Sequence, residues 1–311
     1  MNNLILSFNA VMPMFILVLL GIFIRKSGFL GEQAVTQFNK VVFTIFMPTL
    51  LFHNAYSTSV SEGINPGLVI FTAVSIMAVW LLATLFVCMG IKESAIRGAM
   101  IQGIFRSNFL LLGIPLVTNL YGAGNIGVTI VMVGVVVPIF NVLAVVTLEI
   151  FRGNQPSFLN ILLGILKNPL ILGICAGVLA NVSGLHLPRF LESTISGVSD
   201  LATPMALIML GAALKFQKRD KYSALAAAVT AKLVLVPLLT LPAAVWLGFR
   251  GVALATITIT FASPTAVASY TMAQQMDSDD VLAAKIVVTS TFFSSLTIFL
   301  WVFTLKQLGL I

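Results

Sequence analysis

Acidic side chains, charge of either sign and cysteine are all scarce in this chain, and each shortage removes a class of protein. Only 10 of its 311 residues are Asp or Glu, and charged residues make up 9% in all. That is too little to solvate the surface of a water-soluble domain of this length. Cys88 and Cys175 are the only cysteines, each alone inside an apolar stretch, so a disulfide framework and a thiolate metal site are excluded and plain packing is expected. Gly-rich phosphate loops, paired-His zinc helices and strand-turn nucleophile motifs are missing too. Their absence argues against an enzyme, ATP-driven pumping and the familiar membrane hydrolases included. Nothing asks for a cofactor or a metal, leaving H+ or Na+ as the open candidates for a coupling ion.

Hydrocarbon is abundant instead. Hydrophobic residues are 59% of the chain and the mean hydropathy is +1.08. Apolar runs of helical length recur throughout, each able to cross a hydrocarbon core of roughly 30 Å. Polar, Gly and Pro punctuation places spans near 8–24, 38–56, 66–89, 97–121 and 125–150, then near 169–183, 193–214, 222–247, 251–275 and 281–305. The first has Arg25 and Lys26 after it rather than before it, the wrong polarity for a cleaved signal peptide. The expected fold is therefore an all-α integral membrane protein of about ten transmembrane helices.

The net charge of +7 does not point to nucleic acid, because the cations sit in short loops between spans. Arg25, Lys26, Lys40, Lys92, Arg97, Arg152, Lys167, Lys215, Lys218, Arg219, Lys221 and Lys285 fall on one side, and Arg189, Arg250 and Lys306 on the other. By the positive-inside rule the first group is cytoplasmic, which predicts a cell-membrane protein with both termini extracytoplasmic.

The two sets of five spans are related. Pro13 and Pro169, Gly21 and Gly177, Ser27 and Ser183, Gly28 and Gly184, Pro48 and Pro204, and Ser107 and Ser263 all pair at one offset of 156 residues. An odd number of spans per unit inverts the second unit relative to the first, an arrangement that points to alternating access by a secondary transporter with substrate held near the midplane. The expected division is 1–152, a short cytoplasmic linker over 153–168, and 169–311.

Chemistry is expected where the fourth and ninth spans break. Arg106, Ser107 and Asn108 interrupt the fourth; Ser263, Pro264 and Thr265 interrupt the ninth, with Asn108 and Pro264 equivalent at the common offset. Proline removes a backbone donor, while Ser and Asn bind the groups so released. Broken helices in such carriers aim the positive ends of half-helices at anionic groups. Arg106, Lys232 and Asp200 are placed deep in their spans, where an ionisable group needs a cavity or a partner. If Asp200 neutralises one cation, a single positive charge remains, which suits a carboxylate. His53, near the end of the second span, is a candidate proton relay beside its more ordinary role as a packing residue. Gly173 and Gly177 are expected to serve close helix packing, and Asp277, Asp279 and Asp280 to be merely solvated.

The chain resembles the auxin efflux carrier family, which includes plant PIN-type carriers and bacterial relatives described as organic acid or malate permeases. Phe46-Met-Pro-Thr-Leu-Leu-Phe-His53 is similar to the family's second-helix motif, and Asn108-Phe-Leu-Leu-Leu-Gly-Ile-Pro115 to its Asn-Thr-Leu-Val-Met-Gly-Ile-Pro run. Lys167-Asn-Pro169, Ser199-Asp200, Phe249-Arg-Gly251 and Ser263-Pro264 follow in the family's order. The resemblance implies two inverted five-helix repeats, broken fourth and ninth helices that cross, and scaffold and transport domains each drawn from both repeats. It also implies that Asn108 and Pro264 bind a substrate carboxylate, with Lys232 standing where PIN-type sequences have Arg. Ser107 replaces their proline, and their long central loop is missing, so neither auxin nor loop-based regulation is implied. The expected partners are the lipid bilayer and a small organic anion, mono- or dicarboxylate; a homodimer stays open. A sodium-coupled symporter of the bile-acid type is the alternative, with a membrane sensor or channel behind it.

Overall fold

A computed structural model describes residues 2–57, 65–122, 126–153, 158–214 and 222–311, with side chains described from residue 12 onward and from 223 in the last stretch. Lys215, Lys218, Arg219 and Lys221, which the topology reading uses, lie outside the described residues.

The described residues form helices and no strands. In chain order they are α1 (Asn2–Lys26), α2 (Glu32–Tyr56), α3 (Pro66–Gly90), α4 (Ser94–Phe105), α5 (Phe109–Tyr121) and α6 (Gly127–Ile150). Then come α7 (Phe158–Lys167), α8 (Pro169–Val182), α9 (Arg189–Ala213), α10 (Ser223–Trp246), α11 (Gly251–Ala262), α12 (Ala268–Gln275) and α13 (Asp280–Gln307). Among the described residues seven helices, one of them α4 and α5 taken together, are long and apolar enough to cross a bilayer, and α7 with α8, bent by 58°, makes an eighth. Beside these stand the 25-residue α1 and the shorter apolar α11, followed after its break by α12. The outward faces are apolar: Ile70, Val74, Leu81 and Phe86 on α3 and Phe292, Leu296 and Leu300 on α13 are exposed, as a hydrocarbon solvent requires.

The stretch expected to be a short cytoplasmic linker carries α7, because Phe158, Leu159, Leu162, Leu163 and Leu166 recur at helical spacing and give it an exposed apolar face. Its end is set by Asn168, whose Oδ1 accepts from the Leu170 amide at 3.0 Å, and by Pro169, which opens α8.

Equivalent positions at the offset of 156 have equivalent surroundings. A Cβ on Gly21 would lie 2.0 Å from the Ile208 carbonyl oxygen, and one on Gly177 would lie 2.5 Å from that of Phe52; Ile208 and Phe52 are themselves 156 apart. The helix pairs α1 with α9 and α2 with α8 thus approach backbone to backbone, as small residues allow. Gly173 makes the same approach to Pro48, so both glycines singled out in the sequence serve packing. At the helix ends, Ser27 Oγ donates to the Ile24 carbonyl and Ser183 Oγ to that of Ala180, both at 3.1 Å. Gly28 and Gly184 follow at φ +80° and +65°, the left-handed turn that glycine accepts without strain.

Two expectations fail locally. Cys175 is exposed rather than packed. The acidic run is engaged rather than only solvated: Asp277 pairs with Arg152 at 2.9 Å, Asp279 caps α13 through the Leu282 amide at 2.9 Å, and Asp280 accepts from Gln274 at 3.3 Å.

Candidate functional site: the crossing of two interrupted helices

Helix α4 stops at Phe105 because Arg106 turns extended, at φ −77° and ψ 133°, and α5 begins three residues later. Helix α11 stops at Ala262 because Ser263, at ψ 153°, precedes proline, which disfavours helical backbone in its neighbour. The two gaps lie against one another. The Asn108 amide donates to the Pro264 carbonyl at 2.8 Å, Ser107 Oγ to the Ser263 carbonyl at 3.4 Å and Thr265 Oγ1 to the Gly103 carbonyl at 2.6 Å. Gln102 Nε2 donates to the Ser269 carbonyl at 3.0 Å. Backbone groups freed by each break are taken up by the other, which is how non-helical backbone survives away from water.

A small cavity of about 80 Å³ opens at this crossing. Arg106, Ser107, Asn108 and Asn141 supply its polar side, and Met47, Leu51, Leu111, Phe140 and Val267 contribute to an apolar remainder. Helix α5 starts at its wall, and Asn108 leaves the first amides without a side-chain cap, so the positive end of a 13-residue helix faces the space. Arg106 is 3% exposed. Its Nη2 donates to Asn141 Oδ1 at 2.6 Å and its Nη1 points to Met272 Sδ at 2.7 Å. Arg25 pairs with Glu32, and Arg152 with Glu149 and Asp277; among the described residues no carboxylate is seen on Arg106.

The residues singled out in the sequence divide into three groups. Arg106, Ser107 and Asn108 line the cavity. Ser263, Pro264 and Thr265 lie one layer behind, buried, holding the crossing together; among the described residues Ser263 Oγ has no partner. Lys232, Asp200 and His53 are elsewhere. Lys232 is 0% exposed and its Nζ has no partner among the described residues. It sits in a π turn, Ala231–Leu235, packed against α4, α11 and α13. Asp200 is exposed on α9 and pairs with neither cation, so the expected partial neutralisation does not form. His53 is half-buried with Nδ1 unpartnered among the described residues and does not border the cavity.

Sequence reasoning missed Asn141 and Met272, the two partners of Arg106, and a second polar cluster that ties α2 to α12. In that cluster Asn39 is fully buried, donates to Gln274 Oε1 at 2.5 Å and accepts from Thr271 Oγ1 at 2.9 Å. A single amide or thioether in an apolar run carries no charge and no motif, so only the third dimension exposes these roles.

Comparison with known proteins agrees with this architecture. A family model described as membrane transport protein matches residues 6–158 and 154–302. An uncharacterized transporter of Methanothermobacter thermautotrophicus is 26% identical over 302 residues, covering 95% of this chain and 97% of its own. An uncharacterized transporter of Methanocaldococcus jannaschii is 23% identical over 305 residues, covering 94% and 97%. With matches over nearly its whole length, and two interrupted helices crossing at a cavity, the chain belongs to the membrane transport protein family, the auxin efflux carrier-like group of transporters.

Proposed function

We propose that this transporter carries a small organic anion with a carboxylate group by alternating access, the crossing of α4–α5 with α11–α12 being its binding site. The observation behind this reading is Arg106, a buried guanidinium with only neutral partners beside a cavity and an uncapped helix N-terminus. An uncompensated cation in a low-dielectric site costs several kcal/mol, and an anionic substrate removes that cost. Reciprocal packing at the 156-residue offset supports an inverted repeat in which α1, α2, α8 and α9 form a scaffold. The remaining helices then move past it as the transport body. Helix α12 is buried from Ser269 to Ala273, whereas Leu110 and Leu111 of α5 are partly exposed. That asymmetry fits a state open past α5, the extracytoplasmic side in the expected topology.

Purified protein in liposomes preloaded with an unlabelled organic acid should show saturable counterflow of the labelled acid across a panel of mono- and dicarboxylates. Arg106→Gln should weaken binding by about 2–5 kcal/mol if the guanidinium meets the carboxylate directly. Non-saturating flux without counterflow would mark a channel. Normal anion transport by a folded Arg106→Gln protein would reject this site.

A further inference from the structure

We propose that Asn141 sets the charge selectivity of the crossing site: its amide oxygen holds the Arg106 guanidinium in position without cancelling its charge. The inference rests on the anion-carrier reading above and adds to it the residue that decides which sign of substrate is accepted.

Asn141 lies in the middle of α6, 5% exposed, and borders the cavity with Arg106. Its Nδ2 donates to the Val137 carbonyl one turn back at 2.8 Å, while its Oδ1 accepts from Arg106 Nη2 at 2.6 Å. An amide has donors on one end and an acceptor on the other, so these two bonds fix which way it points and present oxygen to the guanidinium. The second partner, Met272 Sδ, is a weak and uncharged acceptor. Glu149, the acidic residue of α6, is held by Arg152 at 3.3 Å. Every group seen to hold Arg106 is therefore neutral.

Aspartate has the shape of asparagine. At position 141 it would place a carboxylate at ion-pair distance from a buried guanidinium and form the strong pair that now awaits a substrate. The site would then carry no net charge, and a second carboxylate would have to enter against a cation already satisfied. The amide supplies orientation, and the missing charge supplies selectivity, a choice between near-isosteric residues that penalises the wrong ligand.

Thermal unfolding of the purified full chain tests this in two arms. Without ligand, Asn141→Asp should raise the midpoint above wild type, because it neutralises a buried charge, and Asn141→Leu should lower it. With sodium benzoate, lactate and malate as probes against sodium chloride at matched sodium, wild type should be stabilised. Asn141→Asp should lose that response, affinity falling roughly a hundredfold, while Asn119→Asp, the same exchange at an exposed asparagine outside the cavity, should keep it. A role confined to packing would make the Asp and Leu variants fail alike, with both midpoints lowered, and would overturn the proposal. So would an Asp variant that responds to a probe as strongly as a responsive wild type. A wild type unmoved by every probe would sink the carrier reading, and with it the selectivity role of Asn141.

Discussion

At the scale of single residues, Asn108 divides its backbone and its side chain between two tasks. Asn108 is 7% exposed; its backbone amide is committed to Pro264, and its side chain finds only the Met14 sulfur at 3.8 Å, a weak acceptor. The side-chain amide is therefore available to a ligand while the backbone keeps the crossing closed. Asn108→Ala should leave the fold intact and reduce anion affinity by about 1.5–3 kcal/mol, the net worth of one hydrogen bond to a charged group. Titration calorimetry on the purified variant checks this, and affinity equal to wild type would remove Asn108 from the site. Thr265 should behave oppositely, since its hydroxyl is bound to the Gly103 carbonyl and holds backbone rather than cargo. Lys232 is fully buried and away from the cavity, with no partner for its Nζ among the described residues.

Among the elements, the glycine seats are the most demanding. A side chain at Gly177 must occupy space already held by the Phe52 carbonyl and the Ala55 methyl, 2.5 and 2.8 Å from its Cβ. Backbone cannot rotate away as a side chain can, so Gly177→Val should destabilise by about 1–3 kcal/mol or more, the usual cost of overpacking. Gly197→Val, with nothing near its Cβ, is the control. Size-exclusion profiles after a heat step report the difference, and equal survival of the two variants would contradict the close approach of α2 and α8. These elements also show what was legible in the sequence. Span positions, the repeat offset and both breaks follow from hydropathy, Pro and Gly, because those features act locally on the backbone. The grouping of Arg106, Lys232 and Asp200 did not follow, since depth along a helix says nothing about which way a side chain faces around it. Helix α7 falls within the stretch expected as a short cytoplasmic linker; its ten residues reach span length only when taken with α8 across a 58° bend.

For the whole molecule, orientation decides which compartment the open state meets. The orientation expected from the basic residues of alternate loops, both termini outside, predicts that a single cysteine added at either end of a Cys88→Ser, Cys175→Ser chain will label with an impermeant maleimide in intact cells. Labelling only after permeabilisation would invert every side assignment. The reciprocal glycine seats carry one more consequence, for how the chain is made. Helix α1 rests not on its neighbour in sequence but on α9, and Gly21 meets Ile208 about two hundred residues further along. At roughly 5 to 20 residues per second that is ten seconds or more of ribosomal synthesis. Throughout that interval the close-packing face of α1 lacks the helix that covers it, and the same holds for α2 until α8 emerges. Neither half can finish its own assembly, so the early helices must be kept from pairing with the wrong neighbour until the second half arrives to complete them.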